Sequence, residues 1–311
     1  MHVIAFLVST TLMYSAPLTF TALGGVVSEN GGVVNIGMEG LMFFGAFVAA
    51  AGAYYTGNPY IGFIMAGIAG GLLSMLHGLA CITFKANNII SGISLNFIGP
   101  GLTLFLSRLL FEGSTYTPPL GASKMPSPLS GVFPAGSFFN ILLGTQYTTT
   151  FLAYLMVPVI WFLIFRTRLG LRIRSVGEYP RAADTVGIKV FRVQYFAVAA
   201  GGVLAGLGGA SISIAISSVF NPTLISGQGF IALAAIVFGK WKPHGALGAC
   251  LIFGSATALG IVMGWPQIQA VLPIPSQFLA MLPFIASMII LASFVGKSIA
   301  PTSVGVPYEK D

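Results

Sequence analysis

Charge is the scarcest thing in this chain. Of 311 residues, 7% are charged, against about 25% in soluble domains, while 56% are hydrophobic and the mean hydropathy is +0.92. Such a composition cannot dress a globule for water, so a soluble domain is excluded. Acid is scarcer than base, with seven Asp and Glu against fourteen Lys and Arg. Only Glu39 is expected within a membrane span, too little for a proton-relaying chain of carboxylates. The two cysteines, Cys81 and Cys250, stand apart in apolar runs and form no CxxC, so they read as small buried hydrophobes. His2, His77 and His244 are too scattered for a metal site, and His77 reads as a satisfied core histidine. There is no HExxH and no GxSxG. Gly296-Lys297-Ser298 ends like a P-loop, but Leu291 stands where its first glycine belongs. The chain therefore binds no ATP by that motif, no metal or other cofactor is expected, and nothing points to an enzyme. A basic region ahead of the first apolar run is also missing, so residue 3 onward reads as a retained span and not a cleaved signal.

Long apolar runs are what the chain has in plenty. A helical crossing needs about 20 mostly apolar residues, and runs of that kind lie at 3–27, 33–55, 60–84, 89–111, 151–165, 193–219, 246–263 and 278–295. A shorter run at 230–239 reads as a half-helix. The short alternating segments of a β-barrel are absent. The expectation is an all-α polytopic membrane protein, one transmembrane domain over 1–311. Its longest breaks are a Pro, Gly, Ser and Thr-rich loop at 112–147 and a basic loop at 166–192. The basic loop holds seven of the fourteen basic residues. With that loop inside and sides alternating, twelve basic residues fall inside, and only Arg108 and Lys124 fall outside. The positive-inside rule then gives about nine crossings, N-terminus out and C-terminus in. The basic excess is topological and does not suggest nucleic acid.

Two apolar segments are interrupted in corresponding places, one in each half: Asn35-Ile36-Gly37-Met38-Glu39-Gly40 and Ser226-Gly227-Gln228-Gly229-Phe230. Paired interruptions of this kind point to a transport pathway. Glu39 facing lipid would cost roughly 3 kcal/mol. It must therefore face protein, water or a solute path, either as a carboxylate holding backbone N–H groups at a broken helix or as a solute contact. Asn96 reads as a pathway residue or an interhelical hydrogen bond, and Arg108 as a snorkelling residue. Asn35, Glu39, Asn96 and Gln228 are the pathway candidates. Gly202, Gly206 and Ala210, at four-residue steps, allow close helix packing.

Within the basic loop, Pro180 to Val186 has the marks of a short helix. Pro180 suits its first position, Gly187 suits the left-handed residue that closes it, and Glu178 places negative charge beside its N-terminus. Ala182, Ala183 and Val186 leave a small patch where a partner can approach.

The stretch GEYPRAADTVGI, 177–188, resembles the coupling-helix signature of the permease subunits of bacterial ABC importers, in the family that serves branched-chain amino acids, ribose and related sugars, and nucleosides. NIGMEGLMFFGAF, 35–47, resembles the motif of its second membrane segment. TALGGVVSENGGVVNIGMEG, 21–40, is most similar to the nucleoside branch, which works with a basic-membrane-protein-type binding lipoprotein. The resemblance implies two permease subunits in the cell membrane, often a heterodimer, an extracytoplasmic binding lipoprotein, and a cytoplasmic ATPase whose grooves receive the coupling helices. It assigns coupling to Gly177, Glu178, Arg181, Ala182, Ala183, Gly187 and Ile188. On that reading Ala183→Arg is expected to abolish uptake without preventing insertion. Ribose-type sugars or branched-chain amino acids are the alternative cargo. An ion-coupled secondary transporter and a non-transporting scaffold are the rival classes.

Overall fold

A computed structural model describes residues 2–134, 136–270, 274–293 and 299–309. Among these residues every regular element is a helix. In chain order, apart from short helical turns at Gly121–Ser123 and Asn140–Gly144, they are α1 (His2–Asn30), α2 (Met38–Thr56), α3 (Pro59–Gly78, prolonged by a π turn, Leu79–Thr83), α4 (Asn88–Leu110), α5 (Thr148–Arg166), α6 (Arg168–Glu178) and α7 (Pro180–Thr185). There follow α8 (Val190–Ala210, prolonged by the π stretch Ser211–Ser217), α9 (Gln228–Phe238), α10 (Pro243–Met263), α11 (Pro266–Gln269), α12 (Ser276–Ala280) and α13 (Leu282–Ser293). Seven of them, α1, α2, α3, α4, α5, α8 and α10, are long and apolar enough to cross a membrane. At 11 residues α9 is shorter than a crossing. The expected last span, 278–295, is divided between α12 and α13, and its final two residues lie outside the described ones, as do Gly296-Lys297-Ser298 and Lys310.

Helix ends follow local chemistry. Asn58 caps α3, its side chain accepting from the Tyr60 N–H at 2.9 Å, with Pro59 at the first position. Asn87 caps α4 in the same way, through the Ile89 N–H at 2.8 Å. The Gly99-Pro100-Gly101 triplet lies within an unbroken α4. α1 runs three residues past its expected end, because Glu29 and Asn30 find partners far along the chain.

At the centre α8 packs on α1, α2 and α3 through glycines. A Cβ on Gly45 would come within 2.5 Å of the Gly206 Cα, and one on Gly201 within 2.9 Å of the Gly24 carbonyl oxygen. Lipid supplies no hydrophobic drive between helices, so such backbone approaches, with their dense van der Waals contact, are what hold spans together. The loop at 112–147 folds back on the end of α8. The Leu120 N–H donates to the Ser218 carbonyl at 3.0 Å and the Met125 N–H to the Ile214 carbonyl at 2.8 Å.

Candidate functional site

The two interrupted segments meet in space. Glu39, in the first turn of α2, accepts the Gly227 N–H at 2.7 Å on one carboxylate oxygen and the Gly229 N–H at 2.6 Å on the other. These are the orphan donors at the start of α9, where the helix dipole also favours negative charge. A Cβ on Gly229 would lie 2.5 Å from the Glu39 Cα, so the approach requires glycine there. The carboxylate thus holds backbone N–H groups at the broken helix. Asn96 does the same for the first interruption from α4. Its Oδ1 accepts the Gly40 N–H at 2.9 Å and its Nδ2 donates to the Ile36 carbonyl at 3.0 Å. Asn35 is fully buried; its Oδ1 accepts the Gly37 N–H at 2.9 Å, and its Nδ2 has no hydrogen-bond partner. Gln228 is half-buried at the first position of α9. His77, fully buried on α3, steadies the same segment, with Nε2 2.8 Å from the Val34 carbonyl and Nδ1 2.8 Å from the Ser91 hydroxyl. A carbonyl only accepts, so Nε2 carries the proton and Ser91 donates to Nδ1.

The far end of α9 is held from the same stretch of chain, by residues that the sequence did not single out. Trp241 Nε1–H donates to the Glu29 carboxylate at 2.5 Å, and Asn30 Nδ2 donates to the Trp241 carbonyl at 3.2 Å. The Trp241 N–H in turn donates to the Ile236 carbonyl at 3.1 Å and closes α9. Lys240 and Trp241 both adopt left-handed backbone angles, φ 52° and 55°, which non-glycine residues rarely take without support. Residues 29–40 thus grip a half-length helix at both ends, Glu39 at its start and Glu29 with Asn30 at its finish. Within Ser28-Glu29-Asn30-Gly31-Gly32, Glu29 looks like a solvated turn residue, yet it is 7% exposed. Trp241→Phe keeps an aromatic ring but removes the donor together with the pyrrole half of the indole. Unfolding in detergent should show a loss of about 2 kcal/mol, the worth of a hydrogen bond to a charged group; an unchanged midpoint would contradict the grip.

The basic loop comprises two helices, not one. α6 is amphipathic, with Leu169, Ile173 and Val176 turned toward the protein and Arg168, Leu171 and Arg172 exposed. Thr167 caps it, accepting the Gly170 N–H at 3.0 Å. α7 begins at Pro180 as expected. Val186 caps it and Gly187 stands at φ 83°. The Ile188 N–H reaches back to the Ala183 carbonyl at 3.0 Å and the Gly187 N–H to Asp184 at 2.9 Å, the bonding of a Schellman motif. The structure separates the two alanines. Ala183 is 3% exposed and packs with Ile173, Val176, Val190, Val193 and Tyr308, whereas Ala182 is exposed. Tyr179 and Val186, at helical spacing from Ala182, are 66% and 75% exposed. The outward face of α7 is therefore Tyr179, Ala182 and Val186, beside the exposed Arg181. Glu178 accepts the Thr302 hydroxyl at 2.8 Å, and Ile188 is half-buried against the cluster around Ala183. Gly177 lies directly on the end of α1, where a Cβ would be 2.9 Å from the Asn30 carbonyl carbon. Contact therefore runs unbroken from α7 through Gly177 to residues 29–40, and from these to both ends of α9.

Among the described residues no three His, Cys, Asp or Glu side chains converge as metal ligands. The family described as "Branched-chain amino acid transport system / permease component" matches residues 7–293. The guanosine ABC transporter permease protein NupQ of Bacillus subtilis is 41% identical over 319 aligned positions, 99% of this chain and 98% of that protein. The nucleoside ABC transporter permease protein NupC of Lactococcus lactis is 41% identical over 318 positions, again 99% and 98%. A putative glucose ABC transporter permease protein of Haloferax volcanii, TsgC13, is 37% identical, covering 82% of this chain and 77% of its own. No solved structure matches the chain.

Proposed function

The chain belongs to the branched-chain amino acid transport system / permease component family, and we propose that it is the permease subunit of an ABC importer that carries nucleosides across the plasma membrane. The observation that carries this reading is the end-to-end likeness to two permeases whose names specify guanosine and nucleosides. The likeness to TsgC13 is lower and spans less of either chain, which ranks a sugar second.

The mechanism follows from the linkage. A separate ATPase on the cytoplasmic side grips the outward face of α7, at Tyr179, Ala182 and Val186. Gly177 and Asn30 are packed backbone to backbone, so a displacement of α7 moves the end of α1 with little slack. Residues 29–40 carry that movement to α9 through Glu29 at one end and Glu39 at the other. α9 is too short to cross, and a rigid half-helix held at both tips suits a gate better than a strut. The orientation that goes with this has 166–192 in the cytoplasm, about nine crossings, the N-terminus outside and the C-terminus inside. A second permease subunit completes the pathway, and an extracytoplasmic lipoprotein delivers the solute. Asn35, with a buried amide left unpaired, and Gln228, at the tip of α9, are the pathway residues most open to a new partner when α9 shifts; Asn96 acts by holding the first interruption.

The test is uptake of labelled guanosine, ribose, glucose and leucine in cells carrying the whole transporter, with the ATPase either intact or inactivated. Nucleoside uptake that stops with the ATPase is the expected result. Uptake that continues without ATP hydrolysis would mark an ion-coupled transporter, and selective uptake of a sugar would move the chain to the second reading.

A further inference from the structure

The polar tail beyond α13 is tied both to the base of α7 and to the turn that opens residues 29–40. The Ser303 N–H donates to the Gly177 carbonyl at 2.9 Å, and two residues on, the Gly305 N–H donates to the Gly32 carbonyl at 3.0 Å. The Glu178 carboxylate accepts the Thr302 hydroxyl at 2.8 Å and the Thr302 N–H at 3.2 Å, while the Ser303 hydroxyl donates to the Glu178 carbonyl at 2.8 Å. Tyr308 is 7% exposed among Ile173, Val176, Ala183 and Val190, its ring 5.5 Å from that of Phe191. Glu309 pairs with Lys85, at the end of α3, at 3.0 Å. That last pair is exposed and worth little. The backbone bonds and the buried tyrosine carry the attachment.

These ties have a particular geometry. Three stretches far apart in sequence, 32, 177–178 and 302–305, are laced at one point. Gly32, at φ 87°, and Gly177 permit the approach, since a Cβ on Gly177 would stand 3.3 Å from the Gly32 nitrogen. One side of the tail holds the base of α7, the other holds the turn that opens residues 29–40. α7 has fewer than two turns and only one buried alanine, too small an anchorage to transmit force by itself. With the tail in place, α7 cannot tilt away from α1 without breaking the bonds at Ser303, Gly305 and Tyr308.

We propose that residues 302–309 form a coupling brace, a positioning element that makes α7 and residues 29–40 move as one body. The proposal rests on the reading of α7 as the ATPase-docking helix. Without the brace the ATPase still binds and hydrolyses ATP, but α7 rocks on its own and α9 is not driven.

The experiment uses the complete transporter, with second permease, ATPase and binding protein, in proteoliposomes. The chain is truncated after Pro301. Assembly and ATP hydrolysis are expected to persist, while guanosine taken up per ATP falls about tenfold, the size of an ordinary coupling between sites. Thr302→Val combined with Ser303→Ala should shift the ratio in the same direction by less. An unchanged ratio overturns the brace, and so does loss of assembly, which would make the tail merely structural. A second measurement needs no truncation. Spin labels on Thr185→Cys and Val306→Cys, in the full-length chain, report the distance from α7 to the tail; the native Cys81 and Cys250 are buried. A distance that stays constant between nucleotide-free and ATP-bound complexes is expected, and a changing one overturns the proposal. Failure of the intact transporter to couple uptake to ATP at all would instead defeat the functional reading beneath it.

Discussion

Ala182→Arg abolishes ATP-driven uptake and leaves the chain inserted and folded. The side chain is exposed on α7, so the protein itself has room for the arginine. The partner has none. The new side chain occupies the middle of the face formed by Tyr179 and Val186, and places a second positive charge beside Arg181. Steric exclusion and like charge in a docking face cost several kcal/mol, enough to lower uptake about a hundredfold or more. The neighbouring substitution is the control. Ala183 is 3% exposed among apolar side chains, so Ala183→Arg buries an unpaired charge and costs several kcal/mol of folding stability. It therefore lowers the unfolding midpoint, and any loss of uptake it causes reports misfolding. Uptake assays paired with unfolding in detergent separate the two. Normal transport by Ala182→Arg would remove the docking role.

Glu39→Ala should be among the most destabilising single changes in the chain. It strips the acceptors from the Gly227 and Gly229 N–H groups. Hydrogen bonds to charged groups are worth about 1.5–3 kcal/mol each, so the loss is roughly 3–6 kcal/mol. Glu39→Gln keeps one good acceptor but aims an amide donor at a second donor, and falls between. The check is the unfolding midpoint alongside the KM for guanosine. A midpoint that holds while KM rises would show that Glu39 contacts solute and that its bonds to α9 matter little.

Legibility in the sequence followed the distance over which each signal acts. The short helix at 180 was readable because Pro180 and Gly187 act on the backbone beside them. α6 carried a signal too, Leu169, Ile173 and Val176 at helical spacing, but three arginines in eleven residues hid it behind their charge. The split between Ala182 and Ala183 was not readable, because Val190, Val193 and Tyr308 decide it, the last of them 125 residues further on. Glu39 was recognisable as an unusual carboxylate, since an acid in an apolar run carries its cost wherever it goes. Its partners, 188 and 190 residues away, leave no trace near it.

The sequence alone determined a polytopic helical protein of this permease family, with two interrupted segments and a short helix in the basic loop. Hydropathy sums over neighbours, and caps work within a turn, so these features are written where they occur. Only the folded chain decided that Glu29 and Glu39 seize opposite ends of α9, that α7 turns Ala182 outward, and that the tail ties Gly177 to Gly32. The first and last depend on which N–H finds which oxygen once the spans have packed, the second on which apolar side chains close around Ala183, and no window of sequence holds both partners.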